Sequence, residues 1–146
     1  MWFSKGHPVP EALPFAWSSE EDSVGVTVFD QEHEHLMDLV AQIHRAVQDR
    51  HDRGRAQLLL EAFIGAAQAH FDHEEAVMRN IGFPDRQAHA AEHAELLREA
   101  KELQRKVQGG LISALTLPGF LKAWLLDHIH RADRKYAATM RRNGLH

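Results

Sequence analysis

Twelve histidines stand in a chain of 146 residues that contains no cysteine. Imidazole is the commonest nitrogen ligand for transition metals, and without thiolates any bound metal must be held by nitrogen and oxygen. Disulfides, iron–sulfur clusters and thiolate–zinc sites are excluded on the same ground. Spacing then separates candidate ligands from surface histidines. Residues four apart on a helix project from nearly the same side, so His70 with Glu74 and His89 with His93 could each direct two ligand atoms at one point. His33 falls three residues before Leu36 and seven before Val40, and His128 falls three after Leu125, so both join apolar stripes. Asp133 is five residues beyond His128, about 140° around a regular helix. Either the two lie at opposite edges of one broad inward stripe, or a π-type turn brings them closer together. Both arrangements allow a binuclear centre.

Any one of these histidines alone is more often a hydrogen-bonded core imidazole than a ligand. Five histidines and two carboxylates on inward stripes weigh differently, because an unpartnered buried polar group is costly and a metal bond supplies the missing partner. His35 and His130 lie about 200° around the helix from His33 and His128 and are expected to face solvent. His7, His51 and His146 fall in an arm, a loop and the terminus, and His73 takes a rim position at best. His44 is on the inner face but about 16 Å along the axis from His33, too far for the same centre, and reads as packing or a satisfied core histidine.

The elements that must position these groups are helices. From Asp30, a suitable N-cap, apolar residues recur at helical spacing through Leu36, Val40, Ile43 and Val47, giving a first helix to about Gln48. The polar stretch 49–55 turns the chain, and Phe63, Ala67, His70, Glu74, Val77 and Ile81 line one face of a second helix. Gly82-Phe83-Pro84 stops it. A third helix carries His89, His93, Leu96, Ala100, Leu103 and Val107, with Gly109-Gly110 marking its end. Thr116 and Pro118 start a fourth, whose stripe includes Leu121, Leu125, Ala132 and Tyr136. Short connections imply antiparallel neighbours, so the expected fold is all-α, an up-down-up-down four-helix bundle. Residues 1–29, with Pro8, Pro10, Pro14 and Gly25, are expected to form an N-terminal arm packed on the bundle of residues 30–146; Val24, Val26 and Val28 alternate but make no sheet.

Composition narrows the partners. A net charge of −4 and a pI near 6.3 give no broad basic field, so nucleic acid is not expected. The opening residues lack the long apolar core of a signal peptide and no later run is long enough to span a bilayer, which points to a cytoplasmic protein with no membrane association. Nothing in the sequence identifies a protein partner.

With these residues in view, the chain from Trp17 to about Tyr136 resembles the hemerythrin family in its single-domain bacterial form. The resemblance is carried by Val24-Gly25-Val26 leading to Asp30-Gln31-Glu32-His33 with Leu36, and by His70-Phe71-Asp72-His73-Glu74-Glu75 with Met78. Gly82-Phe83-Pro84, the pair His89 and His93, and Trp124-Leu125-Leu126-Asp127-His128-Ile129 with Asp133 and Tyr136 follow in order. No ligand position of the family pattern is substituted. The resemblance implies a non-haem di-iron centre with an oxo or hydroxo bridge, in which His89, His93 and His128 bind one iron, His33 and His70 the other, and Glu74 and Asp133 bridge both. Glu75 is acidic too, but its phase relative to His70 favours Glu74. The first iron would be six-coordinate and the second would keep one position open for dioxygen, beside pocket residues Leu36, Phe71, Trp124, Leu125 and Ile129. The implied function is reversible dioxygen binding, for transport, storage or delivery, with no catalytic residues. The alternatives are a di-iron peroxidase or oxidase and an oxygen or redox sensor; a structural zinc bundle is more distant. Di-iron oxidases use more glutamates and paired Glu-x-x-His motifs, a pattern absent here.

Overall fold

Phe29, His33, Leu36, Met37, Val40 and Ile43 recur at intervals of three and four and are all buried, so the helix carrying them presents one continuous inward face. That face is the spine of the computed structural model, which describes residues 15–49 and 53–146. The elements are α1 (Ser19–Asp22), α2 (Thr27–Gln48), α3 (Arg53–Ile81), α4 (Arg86–Gln108), α5 (Leu117–His128) and α6 (Arg134–Arg142). A 3-10 turn, Ala114–Thr116, precedes α5, and a π-helical segment, Ile129–Asp133, joins α5 to α6. Helix α2 packs on α3 and α5, and α3 packs on α4. The result is an all-helical bundle, with no strand among the described residues. Its core is formed by residues such as Val40, Ile43, Phe63, Ala67, Ala100 and Leu121. None of the described helices is long and apolar enough to cross a membrane.

The expected stops lie where the backbone needs them. Gly82 adopts φ +68, and Phe83 N–H donates to the Met78 carbonyl at 2.9 Å, closing α3 in a left-handed cap before Pro84. Gly110, at φ +75, ends the run after α4 with Leu111 N–H on the Lys106 carbonyl at 2.9 Å.

Several boundaries differ from expectation. Helix α2 begins at Thr27 with Val26 as its cap residue, so Asp30 is not the N-cap. The Asp30 carboxylate instead accepts from Ser23 Oγ at 2.6 Å and Val24 N–H at 2.8 Å, fastening the preceding turn to the helix's first residues. Helix α3 begins inside the polar stretch that reads as a turn, because tolerance of a helix by Arg, Gly and Gln is not visible in an apolar period. On α3, Met78 is fully buried while Val77 and Ile81 are half-buried, and on α4 Leu97 is buried while Leu96 is half-buried. In both cases the residue four beyond a buried polar group keeps the better phase.

The described residues before α2 lie on the bundle. Ser18 caps α1, and the buried Asp22 accepts from Ser18 N–H at 3.0 Å and from His130 Nε2 at 2.8 Å. Arg134 donates to the Glu21 carbonyl and Arg141 to the Val24 carbonyl. Pro8, Pro10, Pro14, His7 and His51 lie outside the described residues.

Candidate metal centre

Four elements bring the seven candidate ligands to one place. Helix α2 supplies His33, α3 supplies His70 and Glu74, α4 supplies His89 and His93, and the α5–π segment supplies His128 and Asp133. All are buried, His33, Glu74 and Asp133 completely. Arg134 N–H bonds to the Ile129 carbonyl, one residue further back than in an α-helix. The π turn so formed is the resolution of the five-residue step: Asp133 Oδ1 lies 3.0 Å from His128 Nε2.

The carboxylate oxygens partition the imidazoles into two sets. Glu74 Oε1 is 2.5 Å from His70 Nε2 and 3.4 Å from His33 Nε2, whereas Oε2 is 3.2 Å from His93 Nε2 and 3.4 Å from His89 Nε2. Asp133 Oδ2 is 3.2 Å from His33 Nε2, and its Oδ1 is 3.1 Å from His89 Nε2. Each carboxylate therefore spans both sets. His33, His70, Glu74 and Asp133 form one group of converging donor atoms, and Glu74, His89, His93, His128 and Asp133 the other.

These atoms converge without bonding one another well. His33 Nε2, His70 Nε2, Glu74 Oε1 and both Asp133 carboxylate oxygens are buried with no aligned hydrogen-bond partner, even though neighbours lie close by. His93 Nε2 and His128 Nε2 face each other at 3.1 Å. Proximity without alignment is what results when lone pairs are aimed at a shared third atom, and buried polar groups left this way are otherwise costly. The donor set, five imidazoles and two carboxylates with no sulfur, fits first-row transition metals that accept nitrogen and oxygen. Two irons fit the two groups.

The electrostatics agree. Burial raises the Glu74 pKa, but the His70 charge and the close imidazoles of His33, His70 and His89 outweigh it and hold the carboxyl well below its ordinary value. Asp133 is also held low: its burial and the nearby Glu74 charge are outweighed by the adjacent imidazoles of His128, His33 and His89. Both carboxylates are thus poised as anions. Tyr136, fully buried against His89 with ring centroids 4.9 Å apart, is pushed well above its ordinary value by burial and by the Glu74 and Asp133 charges, so its hydroxyl stays neutral.

Sequence reasoning passed over the carboxylates behind the imidazoles. Glu32 accepts from His70 Nδ1 at 2.6 Å and His73 Nδ1 at 2.7 Å, and Glu75 accepts from His93 Nδ1 at 3.0 Å. Glu92 lies 3.3 Å from His128 Nδ1. A carboxylate on Nδ1–H leaves Nε2 as the lone-pair atom, turned inward. Each of these acids is one residue from a candidate ligand, which is the only signal the sequence carried. His73, with 41% of its side chain exposed, sits at the rim as expected. His35 and His130 are exposed as expected, though His130 reaches the buried Asp22. His44 is half-buried under Phe15, ring centroids 4.6 Å apart, rather than in the core.

The expected pocket residues Leu36, Phe71, Trp124, Leu125 and Ile129 are all buried. Phe71 stacks on His93 with centroids 3.9 Å apart and planes 7° from parallel, and its edge lies 5.6 Å from His128. Trp124 packs on Phe71 and donates its indole N–H to the Leu96 carbonyl at 3.0 Å.

A helical bundle enclosing two imidazole sets that share two carboxylates defines a binuclear metal-binding class of protein. The family model for the hemerythrin HHE cation binding domain matches residues 24–140. A bacteriohemerythrin of Methylococcus capsulatus is 31% identical over 127 residues, covering 85% of this chain and 95% of that one. A myohemerythrin of Theromyzon tessulatum is 26% identical over 132 residues, covering 90% and 97%. A wild-type hemerythrin crystal structure superimposes with a TM-score of 0.76 at 29% identity, covering 84% of this chain and 95% of that one. The chain belongs to the hemerythrin family.

Proposed function

We propose that the protein binds dioxygen reversibly at a non-haem di-iron centre held by His33, His70, Glu74, His89, His93, His128 and Asp133. The observation that carries this reading is the unequal partition of imidazoles: three in one set, two in the other, around two shared carboxylates. Two ferrous ions held there would supply reversible two-electron chemistry toward dioxygen. His89, His93 and His128 with the two carboxylates nearly fill the donor positions on one side. His33 and His70 leave their side one donor short, so a small ligand has room only there. Phe71, Trp124, Leu36, Leu125 and Ile129 keep water and larger oxidants from that side by dense apolar packing. Glu32 and Glu75 hold the Nδ1 protons of His70 and His93, fixing the tautomer of those two imidazoles, and Glu92 stands 3.3 Å from His128 Nδ1. The reading treats the residues before α2 as an arm on the bundle, supported by the anchoring of residues 18–24 on the π segment through His130 and on α6 through Arg134 and Arg141, and Thr27–Phe29 belong to the bundle as the first turn of α2.

The test is metal content and an optical spectrum of the reduced protein before and after air. About two irons per chain, and a charge-transfer band that appears in air and fades when oxygen is removed, are expected. One zinc and no iron would overturn the reading. Oxidation of an added substrate with turnover faster than autoxidation would replace a carrier by an enzyme.

A further inference from the structure

The five imidazoles differ at the nitrogen that faces away from the centre. His70, His93 and His128 have Glu32, Glu75 and Glu92 behind them. His33 Nδ1 is sealed in the interior. His89 is different. Its Nε2 faces Glu74 and Asp133, while its Nδ1 has no hydrogen-bond partner among the described residues. At 7% exposure it is the least buried of the seven, and it lines a cavity of about 320 Å³ that opens to solvent. Ala88 and Ala132 line it with small side chains, and Asp85, Glu92, Arg131 and Lys135 line it with charged ones.

We propose that this cavity binds a small monocarboxylate, of formate to acetate size, which accepts a hydrogen bond from His89 Nδ1–H and supplies from solution the carboxylate that the chain supplies behind His70, His93 and His128. The charges select one negative charge. Glu92 is engaged by Arg131 and by His128, and Arg131 is shared further with Asp127, so neither is free for a ligand. Lys135 is exposed and has no ion-pair partner among the described residues, leaving one cation to face the ligand. Asp85 is on the same rim and opposes a second negative charge. A planar acceptor with two oxygens can offer one to the ring N–H and one to the ammonium. A carboxylate behind a metal-binding imidazole raises its donor strength, so occupancy would favour the oxidised over the reduced centre. That consequence rests on the di-iron reading; the binding does not.

Calorimetric titration of the iron-loaded protein with sodium formate tests the proposal, against sodium chloride at equal ionic strength. Saturating azide is present to occupy any open coordination position. Saturable formate binding is expected. It should weaken about tenfold or more in Lys135→Glu and in Ala88→Leu, which fills the cavity without touching charge, and tighten in Asp85→Asn. No saturable heat beyond chloride, binding abolished by azide, or equal affinity across the variants would overturn it. Iron content read on the same samples separates the two ideas: two irons without formate binding sinks only this inference, and formate binding without iron sinks only the di-iron reading.

Discussion

Loading a metal into this centre should be steeply coupled to proton release, because an imidazole must be neutral to bind. Burial alone would favour neutral His70, but the Glu74 charge, the hydrogen bond to Glu32 and the close approach of Glu74 outweigh it and lift the pKa to about 10. For His89 burial is again outweighed, here by the close approach of the Asp133 and Glu74 carboxylates and by their charges, and the pKa rises to about 9. His33 is raised against its burial by the same two carboxylates. At neutral pH, His70 and His89 therefore each hold a proton that a metal displaces, and His33 can add a third. Two displaced protons, one in each donor set, change the overall affinity for a pair of metals about a hundredfold per pH unit, or about 2.7 kcal/mol. The assay is competition of cobalt(II) or zinc(II), which avoid redox side reactions, against a chelator of known protonation behaviour from about pH 6.5 to 8. The logarithm of the overall affinity for two metals should rise with a slope of about 2 to 3. A slope below about 1, or release of less than one proton in unbuffered solution, would refute the idea that Glu74 and Asp133 hold the imidazoles protonated.

The same groups set how stability of chelator-stripped protein depends on pH. His70 and His89 have folded pKa values above the ordinary 6.5, so their stabilisation is complete below that value and is lost as pH rises through about 9 to 10. Glu74 and Asp133 are depressed, so theirs is present above the ordinary values of 4.5 and 3.8 and is lost as pH falls below them. The thermal midpoint of the stripped protein should therefore peak between about pH 4.5 and 6.5, and a midpoint that climbs steadily to pH 10 would contradict this. Glu74→Ala or Asp133→Ala should abolish the magnetically coupled iron pair, while His35→Ala, at an exposed position, should keep it; a coupled pair surviving in Glu74→Ala would show that the bridge is misassigned. Phe71→Ala removes a fully buried ring stacked on His93, so chemical denaturation should report a loss of about 3–5 kcal/mol. A loss under about 1 kcal/mol would mean the cavity collapses or the stack contributes little.

What the sequence could reveal about this site depended on how many helices each residue's role involves. His70 with Glu74 and His89 with His93 were legible because a four-residue step is a property of one helix, and a polar pair on an apolar stripe stands out against its own neighbours. The all-helical fold was legible for the same reason. Asp133 was only half legible. Its distance from His128 assumes a value of the helical repeat, and the π turn at Ile129–Asp133 changes that value locally. Glu32, Glu75 and Glu92 were harder still. Each flanks a candidate ligand on its own helix but meets an imidazole on another: Glu32 on α2 bonds His70 on α3, Glu75 on α3 bonds His93 on α4, and Glu92 on α4 lies 3.3 Å from His128 on α5. No periodicity along one helix encodes such a contact, since it depends on the rotation and height of two helices relative to each other. Asp30 failed in the opposite sense: a good N-cap residue was present, but it bonds Ser23 and Val24 instead, and the cap lies four residues earlier at Val26. The carboxylates behind the imidazoles are therefore where related chains with the same seven donors can differ in chemistry, and His89, the one donor facing an open cavity instead, is where this chain leaves that adjustment to the solution.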